Sequence, residues 1–332
     1  MILPHDEPLV CQATCCEAGL ATADLSEARN SGCRRLTFRG ISSLMWLRSV
    51  PPPPSYPAAL SAPWPAYRRT STTYVYVGSF VMPHPAKHEG LHVLRIEPET
   101  GALVRVASHV PGLKVGSLAV DHRRGVLYAT DEVANAGQVY AFSIDCPTGD
   151  LTELGHWPSY GTQPAGIAGD AQSGYHMEQR YDDATTVLFP LDAAGCLGPP
   201  CDVYVHAVPG SLAPPSCLHS VSSSPDGTFL IEGDMEKDQL VTLVVDTAAR
   251  SRRRQGIWDA PRGSGPRYSA FHPTLPVFYI NYEYRPVLEI FAYRVGGELE
   301  STGTVDVLPE DLPSGPGVPS VPMAGSSTSP CP

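Results

Sequence analysis

The chain is poor in basic charge. Its 332 residues carry 23 Lys and Arg against 34 Asp and Glu, a formal net charge of −11. Residues 1–73 hold seven Arg against five acids, so the shortage falls on the remainder, where 16 basic side chains face 29 acidic ones. Such an acidic body repels a phosphate backbone, which excludes nucleic acid as the expected partner. No run of 18 apolar residues occurs, so no membrane-spanning helix is expected. Asp6 and Glu7 stand where a secretory leader would carry basic residues, and no signal peptide is expected. The nine Cys are odd in number and contain no C-x-x-C pair, which suits reduced thiols and a cytoplasmic location better than a disulfide framework. Their one cluster, Cys11, Cys15, Cys16 and Cys33, lacks the partner pair that a zinc knuckle needs. No metal or other cofactor is expected.

Residues 1–72 also lack a sustained hydrophobic period, and they include Pro51-Pro52-Pro53-Pro54 with further Pro at 57, 63 and 65. Residues 312–332 are Pro, Ser and Gly with little to bury. Both ends read as disordered. The structured part is expected over 73–311.

What that middle part has is repetition. LAVDHRRGVLYATDE around Asp121, SVSSSPDGTFLIEGD around Ser224 and SAFHPTLPVFYINYE around His272 share one pattern of strand, tight turn and strand, with a degenerate copy, GIAGDAQSGYHMEQRY, around Asp170. The turn-opening positions 121, 170, 224 and 272 lie 49, 54 and 48 residues apart. That is the period of a propeller blade. Further strands follow each hairpin: GQVYAFSID then LTELGHW, TTVLFPLD then LGPP, QLVTLVVD, and LEIFAYR then LESTGTV. YVYVGSF at 74–80 and GLHVLRIEPETGALVRVASHV at 90–110 supply three strands of a first blade whose innermost strand is not evident. The expected fold is all-β, a propeller with about five blades present. The hairpin at Asp170, reading AGIAGD and HMEQRYDD, is expected to be the weakest.

Charged residues sit at particular places in this repeat. In GPRYSAFHPTLPVFYINYEYRP, residues 265–286, Arg267 precedes the first strand and Glu283 follows the second, so an antiparallel hairpin brings the two to the same end. Alone, such a pair is an ordinary surface ion pair. Counting five residues back from the turn, however, gives Arg267 in one blade and His219 in the blade before it, at equivalent positions. The starts of innermost strands share one face around a propeller's channel, so His219, Arg267 and Glu283 are expected to converge there. Glu132, eleven residues after Asp121 as Glu283 is eleven after His272, is a weaker candidate for the same mouth. HPAKHEGLH spaces His84, His88 and His92 by four, but Pro83 and Pro85 oppose a helix, so this is a loop. His84 and His88 are expected at the rim, as weaker binding candidates rather than metal ligands.

The phrases YVYVGSF, LHVLRIEPETGAL, YAFSIDCPTGDL, VLFPLDAAGCLG, LHSVSSSPDG, GPRYSAFHP and TVDVLPED together resemble the seven-bladed propeller lactonases. That family includes bacterial-type 6-phosphogluconolactonases and fungal carboxy-cis,cis-muconate cyclases. The resemblance implies a lactonase acting on a small anionic sugar-acid lactone, with muconate lactonisation or a catalytically impaired remnant as alternatives. It also implies an active-site set of a His before one blade's first strand, an Arg and a Glu in the next blade, and a further Arg in a later one. The first three fall on His219, Arg267 and Glu283, with His219 favoured as base and Glu283 as its orienter or as acid. The fourth has no counterpart. With about two blades fewer than the family's seven, open flanks and self-association are expected.

Overall fold

The strand–turn–strand repeat becomes a series of four-stranded antiparallel sheets in a computed structural model of the chain. The structure describes residues 10–17, 72–80, 90–133, 137–161, 163–169, 174–178, 184–206, 216–246 and 248–308. Blade 1 is built from β1 (Val10–Glu17), β2 (Thr73–Phe80), β3 (Gly90–Ile96) and β4 (Leu103–His109), in that order across the sheet. Blade 2 holds β5 (Val115–Asp121), β6 (Val126–Asp131), β7 (Gln138–Ile144) and β8 (Leu151–Pro158). Blade 3 holds β9 (Gly166–Gly169), β10 (Gly174–Glu178), β11 (Thr185–Pro190) and β12 (Asp202–Val205). In blade 4 the strands are β13 (Leu218–Ser223), β14 (Phe229–Asp234), β15 (Gln239–Asp246) and β16 (Ser251–Asp259). In blade 5 they are β17 (Pro266–Phe271), β18 (Val277–Tyr282), β19 (Val287–Tyr293) and β20 (Leu299–Asp306). The innermost strands stand side by side, β1 by β5, β5 by β9, β9 by β13 and β13 by β17.

Two expectations change. The innermost strand of blade 1 is present, supplied by Val10–Glu17, which pairs antiparallel with β2 from Val10 opposite Phe80 to Glu17 opposite Thr73. The fourth strand of blade 3 is Asp202–Val205 rather than LGPP, and Leu197 makes only an isolated bridge to Leu191. The degenerate hairpin does pair, Gly166–Gly169 against Gly174–Glu178, although β9 has only four residues.

Burial follows position within each sheet. A blade between two others is covered on both faces, so its second strand is buried along its whole length. Phe229 to Asp234 in β14 are all buried. Outermost strands face solvent, as β20 does from Glu300 onward. Between blades 1 and 2, Tyr76, Leu91 and Val93 pack on Val115, Leu127 and Phe142. Phe229, Ile231 and Leu240 of blade 4 meet Phe278, Ile280, Tyr282 and Phe291 of blade 5. Buried hydroxyls in these seams need acceptors. The Tyr76 hydroxyl donates to Gly149 O at 3.0 Å, Tyr128 to Gly195 O at 2.6 Å, and Thr242 to Gly297 O at 3.0 Å. Each acceptor is the turn between the third and fourth strands of the next blade. Gly297 shows why the turn is glycine: its φ is +81°, and a Cβ there would also strike Thr242 and Phe229 of blade 4.

The turn-opening residues act as the repeat implies. Asp121 accepts the backbone N–H groups of Arg123 and Arg124 at 2.9 and 3.1 Å, and His272 Nδ1 accepts those of Thr274 and Leu275 at 3.1 and 3.0 Å. Side-chain acceptors of this kind fix a tight turn locally.

Candidate active site at the mouth of the inner strands

Each inner hairpin of blades 2, 4 and 5 opens with a register break. The ladder jumps from Val115 to Leu118, from Leu218 to Ser220 and from Pro266 to Ser269. The residues passed over are Gly116 and Ser117, then His219, then Arg267 and Tyr268. A bulge turns its side chain out of the regular alternation, and two of the three bulges hold the sequence-predicted residues His219 and Arg267. The backbone left without a ladder partner is still satisfied. Ser117 N–H donates to Thr130 Oγ1 at 2.9 Å, and Tyr268 N–H to Asn281 Oδ1 at 2.7 Å.

Just outside the bulge the three blades repeat one closing bond. Glu132 N–H donates to Lys114 O at 2.7 Å, Met235 N–H to Cys217 O at 2.8 Å, and Glu283 N–H to Gly265 O at 2.7 Å. The equivalence expected from residue counting therefore holds in space: Gly116, His219 and Arg267 correspond, as do Glu132, Met235 and Glu283.

The site itself is assembled around Arg267. Its Nε–H donates to His219 Nε2 at 3.1 Å, and its terminal nitrogen forms a short ion-paired bond to Glu283. Arg267 thus stands between the two other candidates and is bonded to both. An imidazole nitrogen that accepts cannot also carry the proton, so this bond calls for the tautomer with its hydrogen on Nδ1. His219 is buried, with its ring edge-to-face on Tyr268 at 5.1 Å, and the Arg267 guanidinium lies over the same Tyr268 ring, also at 5.1 Å.

Two supports hold this arrangement across the seam between blades. Ser222 donates to Ser269 O at 3.2 Å and lies 2.8 Å from Ser269 Oγ, which fixes β13 and β17 at matching heights. Asp238, from the turn after β14, accepts Gly263 N–H at 2.6 Å and Gly265 N–H at 2.8 Å, anchoring the approach to Arg267. Sequence reasoning missed Tyr268 and Asn281. Tyr268 reads as one more alternating strand residue, and only its adjacency to Arg267 could have flagged it.

Glu132 is buried just past the end of β6, at the position that Glu283 holds in blade 5. His84 and His88 lie outside the described residues. Cys146, Cys196, Cys201 and Cys217 form no disulfide, and no group of three His, Cys, Asp or Glu suited to a metal ion occurs among the described residues.

Comparison with known proteins bears on the same region. The family described as "Lactonase, 7-bladed beta-propeller" matches residues 74–322. The 6-phosphogluconolactonase of Bacillus subtilis is 24% identical over 248 residues, 73% of this chain and 69% of its own length. That of Cronobacter sakazakii is 26% identical over 225 residues, 67% of this chain and 63% of its own length. Among solved structures, the periplasmic gluconolactonase of Pseudomonas aeruginosa is similar with a TM-score of 0.60 at 22% identity, over 69% of this chain and 67% of that one. The chain spans roughly two thirds of the length of the curated relatives it matches. With five four-stranded blades whose innermost strands stand side by side, and a family match over most of its length, the chain belongs to the seven-bladed β-propeller lactonase family.

Proposed function

We propose that the protein is a lactonase that hydrolyses a phosphorylated sugar-acid lactone of the 6-phosphogluconolactone kind. The observation that carries this reading is Arg267, a guanidinium at the start of β17 held between a buried His219 and Glu283. Attack of water on a lactone carbonyl places negative charge on the carbonyl oxygen. A fixed cation with N–H groups to spare stabilises that charge. The attacking water loses a proton to a base, the bond between the carbonyl carbon and the ring oxygen breaks, and the ring oxygen takes up a proton to give the hydroxy acid. His219 Nε2 is the base of choice once an anionic ligand draws Arg267 toward itself and frees that nitrogen. Glu283 then keeps the guanidinium oriented. The name 6-phosphogluconolactonase, carried by both curated relatives, favours a sugar-acid lactone over a muconate.

The test is hydrolysis of 6-phosphogluconolactone, corrected for the spontaneous reaction. Arg267→Ala should lose about 100- to 1,000-fold in kcat/KM, the usual effect of removing one preorganised charge-stabilising donor. Arg294→Ala, which removes an exposed pair with Glu300, should change nothing measurable. Equal rates for wild type and Arg267→Ala would sink this reading.

A further inference from the structure

The turn joining β14 to β15, residues 235–238, stands at the same end of the sheets as the starts of β13 and β17. It is fastened toward both. Asp238 accepts the N–H groups of Gly263 and Gly265 on the approach to Arg267, and a Cβ on Gly265 would lie 3.1 Å from Met235 Cγ. Lys237, half-buried, turns inward: its ammonium donates a short hydrogen bond to the hydroxyl of the buried Ser216, three residues before His219. The lysine therefore lies between the lead-in to His219 and the lead-in to Arg267, in neighbouring blades whose inner strands stand side by side. Its charge is not spent on the turn. Asp234 accepts the N–H groups of Cys217 at 3.1 Å and of Lys237 itself at 3.2 Å, so this carboxylate, like that of Asp238, is engaged with backbone. Among the described residues the ammonium meets a hydroxyl and no carboxylate at ion-pair distance. Arg267, by contrast, is already paired with Glu283. Serine takes one of the three N–H groups of an ammonium and leaves two for a ligand.

We propose that Lys237 is a specificity-determining residue of this site, binding the phosphate of a phosphorylated lactone and so selecting it over the unphosphorylated one, while Arg267 serves the carbonyl oxygen. This rests on the proposed lactonase reading and names the residue that sets its substrate class. A phosphate monoester carries a charge of about −1.5 to −2 near neutral pH and strong acceptor oxygens. Lysine meets such a group as a compact point charge, with hydrogen bonds strengthened by the charges on both partners. Ser216 belongs to the same device, because it holds the ammonium at the entry of β13 instead of letting the side chain run out into solvent.

The experiment uses the full chain as wild type, Lys237→Met, Lys237→Gln and Lys237→Arg. Binding of 6-phosphogluconate and of gluconate is measured by calorimetry, and hydrolysis of 6-phosphogluconolactone and of gluconolactone by steady-state rates. Lys237→Met should lower the ratio of the two affinities, phosphorylated over unphosphorylated, at least about tenfold, in line with the loss of charge-assisted hydrogen bonds. For the phosphorylated lactone it should raise KM more than it lowers kcat. Lys237→Gln can still donate to Ser216 but carries no charge, so it should lose the preference as Lys237→Met does; if Lys237→Met fails to fold, Lys237→Gln decides alone. Lys237→Arg keeps the charge and should retain most of the preference, which a lysine that merely fastens the turn would not require. An unchanged affinity ratio in a folded Lys237→Gln overturns the inference, even if wild type proves a good lactonase. A wild type that binds 6-phosphogluconate through Lys237 but hydrolyses neither lactone sinks the lactonase reading and leaves this one standing. A wild type that binds neither ligand and hydrolyses neither lactone overturns both.

Discussion

Arg267 does three jobs with one planar group: it donates through Nε to His219, pairs through a terminal nitrogen with Glu283, and lays its face on Tyr268. A lysine has no second, rigidly spaced donor and no flat face, so Arg267→Lys keeps the charge and loses the geometry. It should lower kcat/KM about 100-fold while the melting temperature stays close to that of wild type, measured side by side. A second residue-level case lies in the seam of blades 3 and 4. Glu232 is fully buried, 2.6 Å from His206 Nε2. Burial by itself pushes its carboxyl up, but His206, Thr186 and Arg252 together outweigh that and hold it below the usual glutamate range. Arg252 is fixed in turn by Asp202 Oδ2 at 2.9 Å and Thr186 O at 2.7 Å. Because the folded value is the lower one, Glu232 stabilises the fold above the ordinary glutamate pKa, and that contribution fades as pH falls through the lowered value. Thermal melts should therefore show Glu232→Gln weaker by about 3 kcal/mol at neutral pH, with the gap to wild type closing in acid. A constant gap at all pH values would show that the ionised carboxylate is not what stabilises the seam.

At the scale of the element, the bulge at the start of β17 is what aims Arg267. Its cost is one backbone N–H without a ladder partner, and Asn281 supplies the acceptor at 2.7 Å. Asn281→Ala should destabilise the protein by about 1–2 kcal/mol, the usual penalty for an orphaned donor. It should also reduce kcat/KM by letting Arg267 drift. Asn281→Asp keeps the acceptor oxygen and should restore much of both, which a merely volumetric role for Asn281 would not allow. The same device recurs in blade 2, where Thr130 Oγ1 accepts Ser117 N–H at 2.9 Å.

For the molecule as a whole, the five described sheets leave two faces without a stacked neighbour. In β18, Phe278, Ile280 and Tyr282 are buried against blade 4, while Val277, Tyr279 and Asn281 are partly exposed on the far side. Ile290 pairs with Tyr279 on that far side. Blade 1 has the matching free face, where Val75, Val77 and Leu94 are partly exposed and Tyr74, Tyr76 and Val93 are buried against blade 2. Every internal seam joins the far face of one blade to the near face of the next, so the free faces of two copies are of complementary type. Head-to-tail association should follow. Sedimentation should show species larger than a monomer that grow with concentration, and Tyr279→Lys with Ile290→Lys should shift them to monomer. A concentration-independent wild-type monomer would refute this.

The residues themselves determined the repeat, its blade period and the place of His219, Arg267 and Glu283 within it, because turn chemistry and alternation are local and recur at fixed spacing. They did not reveal β16, whose sequence SRRRQGIWD lies in an outermost position where most side chains are exposed and little alternation is required. Nor did they reveal β1, which pairs with β2 across the long interval between residues 17 and 73, since such a partner is chosen by the edge it completes and not by its own pattern. Counting could align Arg267 with His219. Only the stacking of β13 on β17 decided that the guanidinium lies between His219 and Glu283 with Tyr268 beneath it, because hydrogen bonds between neighbouring blades depend on the height and rotation at which two sheets meet.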